Sequence, residues 1–534
     1  MTDGKPDRSE TRAYLVGGGI ASLAAAAFLI RDGHLHGYNI TIFEELDRLG
    51  GSLDGAGSAA HGYVVRGGRM LESKYRCTFD LFASIPTLDK KQTVTQETLQ
   101  WNEVIRTGSK SRLVRAGRKI DTPEFGLSER DILNIERLAI EPEALLGTTS
   151  IRDQFDAGFF ETNFWLMWCT TFAFQPFHSA VEFQRYLVRF VHMVDGFGEL
   201  KGIMRTVYNQ YDSFVRPLKA WLDERGVRYE LNAVVTYLEC GGDAETSRAV
   251  EQIVYLKDGE SHTVTLCPDD LVIATLGSMT EASSLGGMDL PATLKNKHDG
   301  GAWTFWETIA KGRPEFGRPA AFAGHIDESK WVSFTATCKD STFFNLMRDF
   351  TGNVAGEGGL VTFADSGWLM SVVLPHQPHF IGQADDTKVF WGYALAVDKP
   401  GDFVRKPMAD CTGREIMEEL LGQLGVDAGR SRRILDTTIN IPCMMPFITS
   451  QFLRREKGDR PEVVPAGWRN LAFTGQFVEM PDDVVFTVEY SIRSAQVAVA
   501  QLLDLETGPP AVYQGKYRPG ILLHAFKALH DFRW

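Results

Sequence analysis

The chain has 534 residues, 44% of them hydrophobic, and a formal net charge of -13. This length predicts two or three domains with large cores. The negative charge argues against nucleic acid as a partner, because nucleic-acid binding needs clustered lysine and arginine. The seven cysteines are scattered and include no C-x-x-C motif, so we expect free thiols in a reducing cytoplasm and no metal site.

The first motif is a strand, a glycine-rich turn and a helix between Ala13 and Ile30. Gly17 permits the tight turn, and Gly19 lets the backbone approach a pyrophosphate at the start of the helix. The next strand ends on Glu44, where a carboxylate can hydrogen-bond the hydroxyls of a ribose. The sequence therefore predicts a dinucleotide site. The residues assigned to it in this segment are Gly17, Gly19, Ala21, Ser22 and Glu44.

The apolar stretch 13–30 has a second interpretation, as a signal peptide or membrane span, because Arg8 and Arg12 precede it. Three adjacent glycines, the lack of an A-x-A cleavage site and the strand that follows argue against this interpretation.

Further glycine turns extend the predicted dinucleotide site. The turn after Glu44 can expose backbone N–H groups to a phosphate or a flavin edge. The sequence RGGR at 66–69 follows a short strand, where flavoproteins with two dinucleotide domains place their backbone against the flavin ring; a solvated surface turn is the alternative. A later strand delivers a valine towards an adenine, and two buried strands end in glycine. The additional cofactor residues are Gly51, Ser52, Arg66, Gly67, Gly68, Arg69, Val235, Gly277 and Gly475.

These patterns predict an α/β fold, with a Rossmann-type doubly wound FAD-binding domain and inserted mixed and helical substrate domains. The tail forms a short amphipathic helix that either packs on the protein or contacts a membrane surface, so the protein is expected in the cytoplasm or peripheral to a membrane. We assign residues 12–80, 207–280 and 462–505 to the FAD-binding domain, 81–206 to a largely helical domain, 281–461 to a mixed α/β domain and 506–534 to the tail.

Several longer motifs together resemble one family. They are RGGR, FQPFHSAVEFQRY, YNQYDS, TTIN followed by CMMPFITSQF, and GQFVEMPDDVVFTVEYS. This set resembles the oleate hydratases, flavoproteins once called myosin-cross-reactive antigens, over about residues 13–505. The resemblance implies FAD as cofactor, an unsaturated long-chain fatty acid with a cis-9 double bond as substrate, and addition of water to give a 10-hydroxy acid.

The resemblance also implies roles for single residues. Tyr186 matches the general acid that protonates the alkene, whereas helical periodicity alone places it on an apolar face and favours a buried structural tyrosine. Gln210, Thr438 and Asn440 match residues that hold the fatty-acid carboxylate. Ordinary hydrogen bonding in loops and at strand ends is the alternative for these three.

One position departs from the family pattern. Many members carry a water-activating glutamate directly after RGGR, but this chain has Met70, and Glu72 is the nearest carboxylate. We assign both as candidate catalytic residues. Only about a dozen residues precede the first strand, where dimeric relatives carry a longer arm, so a monomer is expected.

Two other functions compete with hydration. One is a flavin oxidoreductase, such as a desaturase or an amine oxidase, on the same scaffold. The other is a non-catalytic lipid-binding protein in which FAD only holds the fold, an alternative motivated by Met70.

Overall fold

Short strands and helices alternate along most of the chain. A computed structural model describes residues 8–121, 124–242 and 248–530, so the last four residues of the predicted tail lie outside the described residues. The strands in these ranges are β1 Ala13–Val16, β2 Ile40–Glu44, β3 Gly55–Ser58, β4 Gly62–Val65, β5 Leu71–Glu72, β6 Ser111–Arg115, β7 Arg118–Asp121, β8 Ile203–Met204, β9 Arg228–Leu231, β10 Ala233–Gly241, β11 Ala249–Lys257, β12 Glu260–Thr265, β13 Leu271–Thr275, β14 Ser284–Leu285, β15 Trp331–Cys338, β16 Leu360–Phe363, β17 Met370–Val373, β18 Lys388–Ala394, β19 Thr438–Met445 and β20 Leu471–Thr474. The helices are α1 Ile20–Arg31, α2 Arg76–Phe82, α3 Val94–Val104, α4 Glu129–Ile140, α5 Glu143–Leu146, α6 Asn163–Phe172, α7 Ala180–Arg189, α8 Arg216–Asp223, α9 Ala302–Ala310, α10 Ala320–Ala323, α11 Ile326–Ser329, α12 Thr342–Thr351, α13 Gly413–Gln423, α14 Ala428–Asp436, α15 Val488–Leu502 and α16 Pro519–Leu529.

Five strands form a parallel sheet in the order β20-β13-β1-β2-β9. β1 is the central strand. β2 and β9, which follow it in the chain, lie on one side of it, and β13 and β20, which come later in the chain, lie on the other. Strands β1, β2 and β20 are buried along their whole length, as expected for a parallel sheet covered on both faces. This arrangement confirms the predicted doubly wound α/β fold.

Helix α1 sets the geometry of the sheet's carboxyl edge. Its alanine run, 24–27, is fully buried, and these small side chains let α1 pack closely against α15 and the sheet. A three-stranded antiparallel sheet, β10-β11-β12, also packs near β2, with the rings of Phe43 and Tyr255 5.0 Å apart. The amino terminus of α1 is thereby held where β1 ends, which is the usual ligand position in such sheets.

A second, eight-stranded sheet has the order β14-β19-β15-β18-β17-β16-β6-β7. Strands β6 and β7 come from residues 81–206, so the segment assigned to a largely helical domain also contributes an edge to this sheet. Strand β4 lies across β15, where the backbone N–H groups of Tyr63 and Val65 donate to the hydroxyls of Thr337 (2.8 Å) and Thr335 (3.1 Å). These bonds tie the second sheet to the loop that follows β4.

The aromatic segment packs its own core around α6 and α7, with Tyr186 at a centroid distance of 5.0 Å from both Phe172 and Phe174. Helix α16 packs against residues 191–199, so the terminal helix contacts the protein, although Leu522 and Leu523 stay exposed. Within the described ranges, no helix combines the length and the apolar character needed to cross a bilayer.

Candidate active site

A large cleft opens at the carboxyl ends of the parallel strands. Its empty volume, including the part open to solvent, is about 1900 Å³. Most of the residues predicted from the glycine turns line it, from the end of β1 to the end of β20. These residues are Gly17, Gly19, Ala21, Glu44, Gly51, Ser52, Arg66, Val235, Gly277 and Gly475.

Glu44 lies at the end of β2 with its carboxylate in this cleft. Its two oxygens accept the backbone N–H groups of Gly18 (2.6 Å) and Leu46 (2.9 Å). Burial raises the pKa of Glu44, and these two N–H groups oppose the shift. Each oxygen keeps a further lone pair, so the fixed carboxylate can accept hydrogen bonds from a ribose.

The turn between β1 and α1 leaves room for a phosphate. Gly17 has a φ of +91°, which favours glycine. A Cβ at Gly19 would have only the Cα of Gly51 nearby, at 3.8 Å, so the space beside Gly19 is open. No side chain caps the first turn of α1, so its N–H groups face the cleft as they do in dinucleotide sites.

Ser22 does not line the cleft. Its hydroxyl is buried 3.2 Å from the hydroxyl of Thr275 on β13, so it packs α1 against the sheet, the part that a small residue is expected to play there.

Arg66 lies on the wall of this cleft, where the cleft adjoins the rest of the site. Its guanidinium donates to Asp54 (2.8 Å), to the carbonyl of Gly51 (2.8 Å) and to the carbonyl of Thr280 (3.1 Å). These bonds fix the turn at residues 50–52 against the loop that follows β13. Arg66 therefore shapes the cleft wall with its side chain as well as with its backbone.

Two mainly apolar cavities adjoin the cleft. We name the space lined by Trp101 and Arg205 the outer cavity and the space lined by Glu72 and Tyr186 the inner cavity. Their empty volumes, including the parts open to solvent, are about 1310 Å³ and about 840 Å³. Gly67 lines the outer cavity only. The residues shared by both walls are Ser52, Leu53, Gly68, Arg69, Met70, Thr171, Gln210 and Phe486. Ser52 also lines the dinucleotide cleft, so all three spaces meet at this residue.

Tyr186 lines the inner cavity from α7 and is 1% exposed. Its hydroxyl donates to the carbonyl of Val485 at 2.6 Å. Burial raises the pKa of Tyr186 well above its ordinary value, and Tyr75 acts in the same direction. The phenol therefore keeps its proton at neutral pH and donates it to this carbonyl, beside the apolar space that Tyr186 lines.

Met70 and Glu72 both line the inner cavity, together with Tyr186. Glu72 is an anion in an ion pair: its carboxylate lies 3.0 Å from Arg189 and 3.5 Å from His192. Burial would raise the pKa of Glu72, but His192 and Arg189 outweigh this effect and hold it below its ordinary value. The pairing makes Glu72 a weak base.

Gln210 lies at the junction of the two cavities. It is 5% exposed, and neither its amide oxygen nor its amide nitrogen has a hydrogen-bond partner among the described residues. A buried amide without partners is unfavourable unless a ligand or water completes it. Gln210 thus fits a residue that binds a polar group inside the cavity.

Thr438 and Asn440 do not line the cavities on which Gln210 lies, and their role as carboxylate residues stays a prediction. Both lie on one face of β19 and line none of the three spaces. Thr438 donates to the sulfur of Cys338 (3.7 Å), and Asn440 donates to the carbonyl of Gly413 (2.9 Å). The opposite face of β19, with Ile439 next in sequence, packs towards β4.

The outer cavity also contains polar residues that sequence reasoning missed. Arg205, His376 and His379 line its wall near Trp101. Arg205 stands five residues before Gln210 in the same short segment, and that proximity is the signal that could have drawn attention to it.

Comparison with solved structures defines the class of protein. Cyclohexylamine oxidase from Brevibacterium oxydans IH-35A has a TM-score of 0.52 at 11% identity, over 92% of this chain and 99% of that one. Wild-type putrescine oxidase bound to putrescine has a TM-score of 0.52 at 13% identity, over 92% and 99% of the two chains. At these identities the likeness shows the fold alone, which is the Rossmann-type flavoprotein fold.

Comparison of sequences then gives the family. The model of the MCRA family matches residues 10–500. Oleate hydratase of Streptococcus pyogenes serotype M49 (strain NZ131) is 39% identical, over 99% of this chain and 92% of its own length. Linoleate hydratase of Lactiplantibacillus plantarum is 33% identical, over 92% and 93%. The chain belongs to the MCRA family, which confirms the resemblance found in its motifs.

Proposed function

We propose that this protein adds water to the double bond of an unsaturated long-chain fatty acid, with conversion of oleate to 10-hydroxystearate as the reaction. The observation that carries the proposal is the placement of Tyr186 on an apolar cavity that adjoins a dinucleotide cleft. The two hydratase relatives support the same reaction class.

FAD is the cofactor that the cleft fits. Glu44 would hold the ribose, the open space at Gly19 and the start of α1 would take the pyrophosphate, and Val235 would lie against the adenine. Gly67, Gly68 and Arg69 lie beyond the cleft, on the cavities that meet it at Ser52, and form the side that would face the flavin ring. Bound there, the flavin would supply an electron-rich surface beside developing positive charge, with no net redox change.

The proposed reaction starts from Tyr186. Its phenol transfers a proton to one alkene carbon, which forms a C–H bond, while the oxygen of a water molecule forms a C–O bond to the neighbouring carbon. The proton released by that water returns to the phenolate of Tyr186, directly or by exchange through solvent, so atoms and charge balance. Because an alkene is a poor base and a phenol a poor acid, positioning within the apolar cavity must supply much of the rate.

The group that prepares the water differs from the family pattern. Met70 offers no base, and Glu72 is neutralised by Arg189. Gln210 has a free amide oxygen and a free amide nitrogen at the junction beside Met70. We infer that Gln210 binds the reacting water, and that this water is oriented more than it is deprotonated.

Stoichiometry separates this proposal from its rivals. Incubation of the FAD-loaded protein with oleate should give a product heavier by one water, without consumption of oxygen or of an added electron acceptor. Loss of two hydrogens with acceptor reduced would instead identify an oxidoreductase. Oleate that binds without any turnover, even with FAD reduced, would leave only a lipid-binding protein.

A glutamate at position 70 tests the account of the water. Met70→Glu places a carboxylate on the wall shared by both cavities, where it can accept a proton from water. We expect kcat to rise if water activation limits the rate, by up to about 10²-fold, the lower range for a positioned base. Initial rates with saturating oleate measure the effect.

The double variant supplies the control for this experiment. Glutamate at position 70 should give no gain in the Tyr186→Phe background, because a prepared water cannot add without a proton donor. An equal gain in both backgrounds would show that the two residues do not act on the same reaction.

A further inference from the structure

Arg205 is a cationic residue without an acidic partner. Its side chain forms no ion pair with any residue in the described part of the chain, and its Nη1 is buried without a hydrogen-bond partner. Burial alone lowers the pKa of the Arg205 guanidinium to about 10, with no contribution from a carboxylate. The group is still charged at neutral pH, and a half-buried cation that lines a cavity without an acidic partner favours an anion beside it.

The backbone around Arg205 is firmly held. Its N–H donates to the side chain of Asn102 (2.9 Å), and its carbonyl accepts from the same amide (2.7 Å). These two hydrogen bonds to the Asn102 side chain fix the backbone from which the Arg205 side chain extends. The Arg205 side chain therefore extends from a fixed point on the cavity wall.

Two histidines lie beside Arg205 on this wall. Burial and the nearby charges of Arg205 and His376 lower the pKa of His379 to about 3. His376 packs edge-on to the ring of Trp101, with the centroids 4.7 Å apart. Both imidazoles are neutral near pH 7 and can still donate one N–H, so the wall beside Arg205 carries neutral donors.

Arg112 is a buried arginine whose guanidinium has hydrogen-bond partners within the protein, and it serves as a comparison for Arg205. It is 1% exposed, and burial also lowers its pKa to about 10. Its guanidinium donates to the carbonyls of Leu360 (3.1 Å) and Phe197 (2.9 Å) and to the hydroxyl of Thr171 (2.9 Å). Arg205 lacks such partners although it lines a cavity large enough for a ligand.

Arg205 lies on a different cavity from Tyr186, the residue that is proposed to protonate the alkene. Arg205 lines the outer cavity only, whereas Gln210 and Met70 line both cavities and Tyr186 lines the inner one. An anion held at Gln210 would put the head group beside the reacting residues. An anion held at Arg205 leaves the junction of the two cavities for the part of the chain between the head group and Tyr186.

On these observations, and resting on the proposed function, we propose that Arg205 binds the carboxylate of the fatty acid, with His379 as a neighbouring donor. In this arrangement the outer cavity holds the first part of the chain, and the distance from Arg205 to Tyr186 selects which double bond is placed at the phenol. This carboxylate site lies on the outer cavity and differs from the predicted site at Thr438 and Asn440.

Binding of a saturated fatty acid tests this assignment without any reaction. We compare laurate with 1-dodecanol, which share a chain length and differ in charge, on the FAD-loaded parent and on Arg205→Gln by calorimetry. The parent should prefer laurate, and Arg205→Gln should weaken laurate binding about 10- to 100-fold, the range for hydrogen bonds to a charged group, while dodecanol binding changes less than about twofold. Because neither compound has a double bond, this result does not depend on hydratase activity.

Arg205→Lys is the matched variant, since it keeps the charge and should retain part of the preference for laurate. Melting temperature and FAD content establish that each variant is folded. Equal affinity of the parent for laurate and dodecanol would overturn the assignment without any variant. Parental laurate affinity in Arg205→Gln would overturn it as well, as would equal losses for both compounds.

Discussion

Replacing Tyr186 by phenylalanine is expected to lower kcat for oleate by about 10²–10⁴-fold while FAD content and substrate affinity stay near those of the parent. The substitution removes one hydroxyl and keeps the ring, which packs between Phe172 and Phe174. A residue that only stabilises the core would lose one hydrogen bond, to Val485, at about 1 kcal/mol of folding free energy and with activity nearly intact. Rate and melting curves together distinguish the two roles.

Tyr490 provides a matched control. It is fully buried, and its hydroxyl donates to the carbonyl of Val478 at 2.6 Å, the same distance as in Tyr186. It lines none of the three spaces. Tyr490→Phe should therefore reduce stability and leave kcat close to the parental value. If Tyr186→Phe behaves like Tyr490→Phe, Tyr186 is a structural residue and the proposed proton donor is wrong.

The second large effect is expected at the pyrophosphate position. Gly19→Val should give a folded protein without FAD and without activity, because the new side chain enters the space that the pyrophosphate needs. The backbone at Gly19 is extended, with φ -76° and ψ 179°, and a Cβ there meets nothing closer than 3.8 Å. The substitution thus blocks the ligand with little strain in the apoprotein. Flavin absorbance of the purified protein measures the result.

Loss of the cofactor should also lower thermal stability, since a ligand present at 100 to 1000 times its Kd stabilises the folded state by about 3–4 kcal/mol. Gly158→Val is the control, because Gly158 lies outside the cleft and a Cβ there has no neighbour within 4 Å. Stoichiometric FAD in purified Gly19→Val would place the pyrophosphate elsewhere.

The parts of the fold that could be predicted from the sequence are those where local chemistry dictates the backbone geometry. The first motif consists of a strand, a glycine turn, a helix and then Glu44 at the end of the next strand. Few folds other than a dinucleotide-binding one fit this motif, because each residue type meets a steric or hydrogen-bonding requirement of that fold. The same holds for the glycines that end β13 and β20. Strand β6 was harder to anticipate, since its partner in the sheet, β16, lies more than 240 residues away.

The candidate site could be predicted from the sequence only in part. Thr438 and Asn440 alternate with Ile439 along β19, so their motif gives the strand but not the face that meets the cavity, and that face is set by packing against β4. The ion pair that neutralises Glu72 comes from Arg189, 117 positions along the chain. Arg205 is one arginine among many in the sequence, and only its lack of a partner sets it apart.

The most direct test of hydration uses water labelled with heavy oxygen and deuterium. The account predicts that the FAD-loaded protein converts oleate to 10-hydroxystearate with the heavy oxygen in the new hydroxyl and one deuterium on the neighbouring carbon, because water supplies both the oxygen and, through exchange at Tyr186, the proton. A product with two hydrogens fewer, or a hydroxyl oxygen drawn from dioxygen, would contradict it.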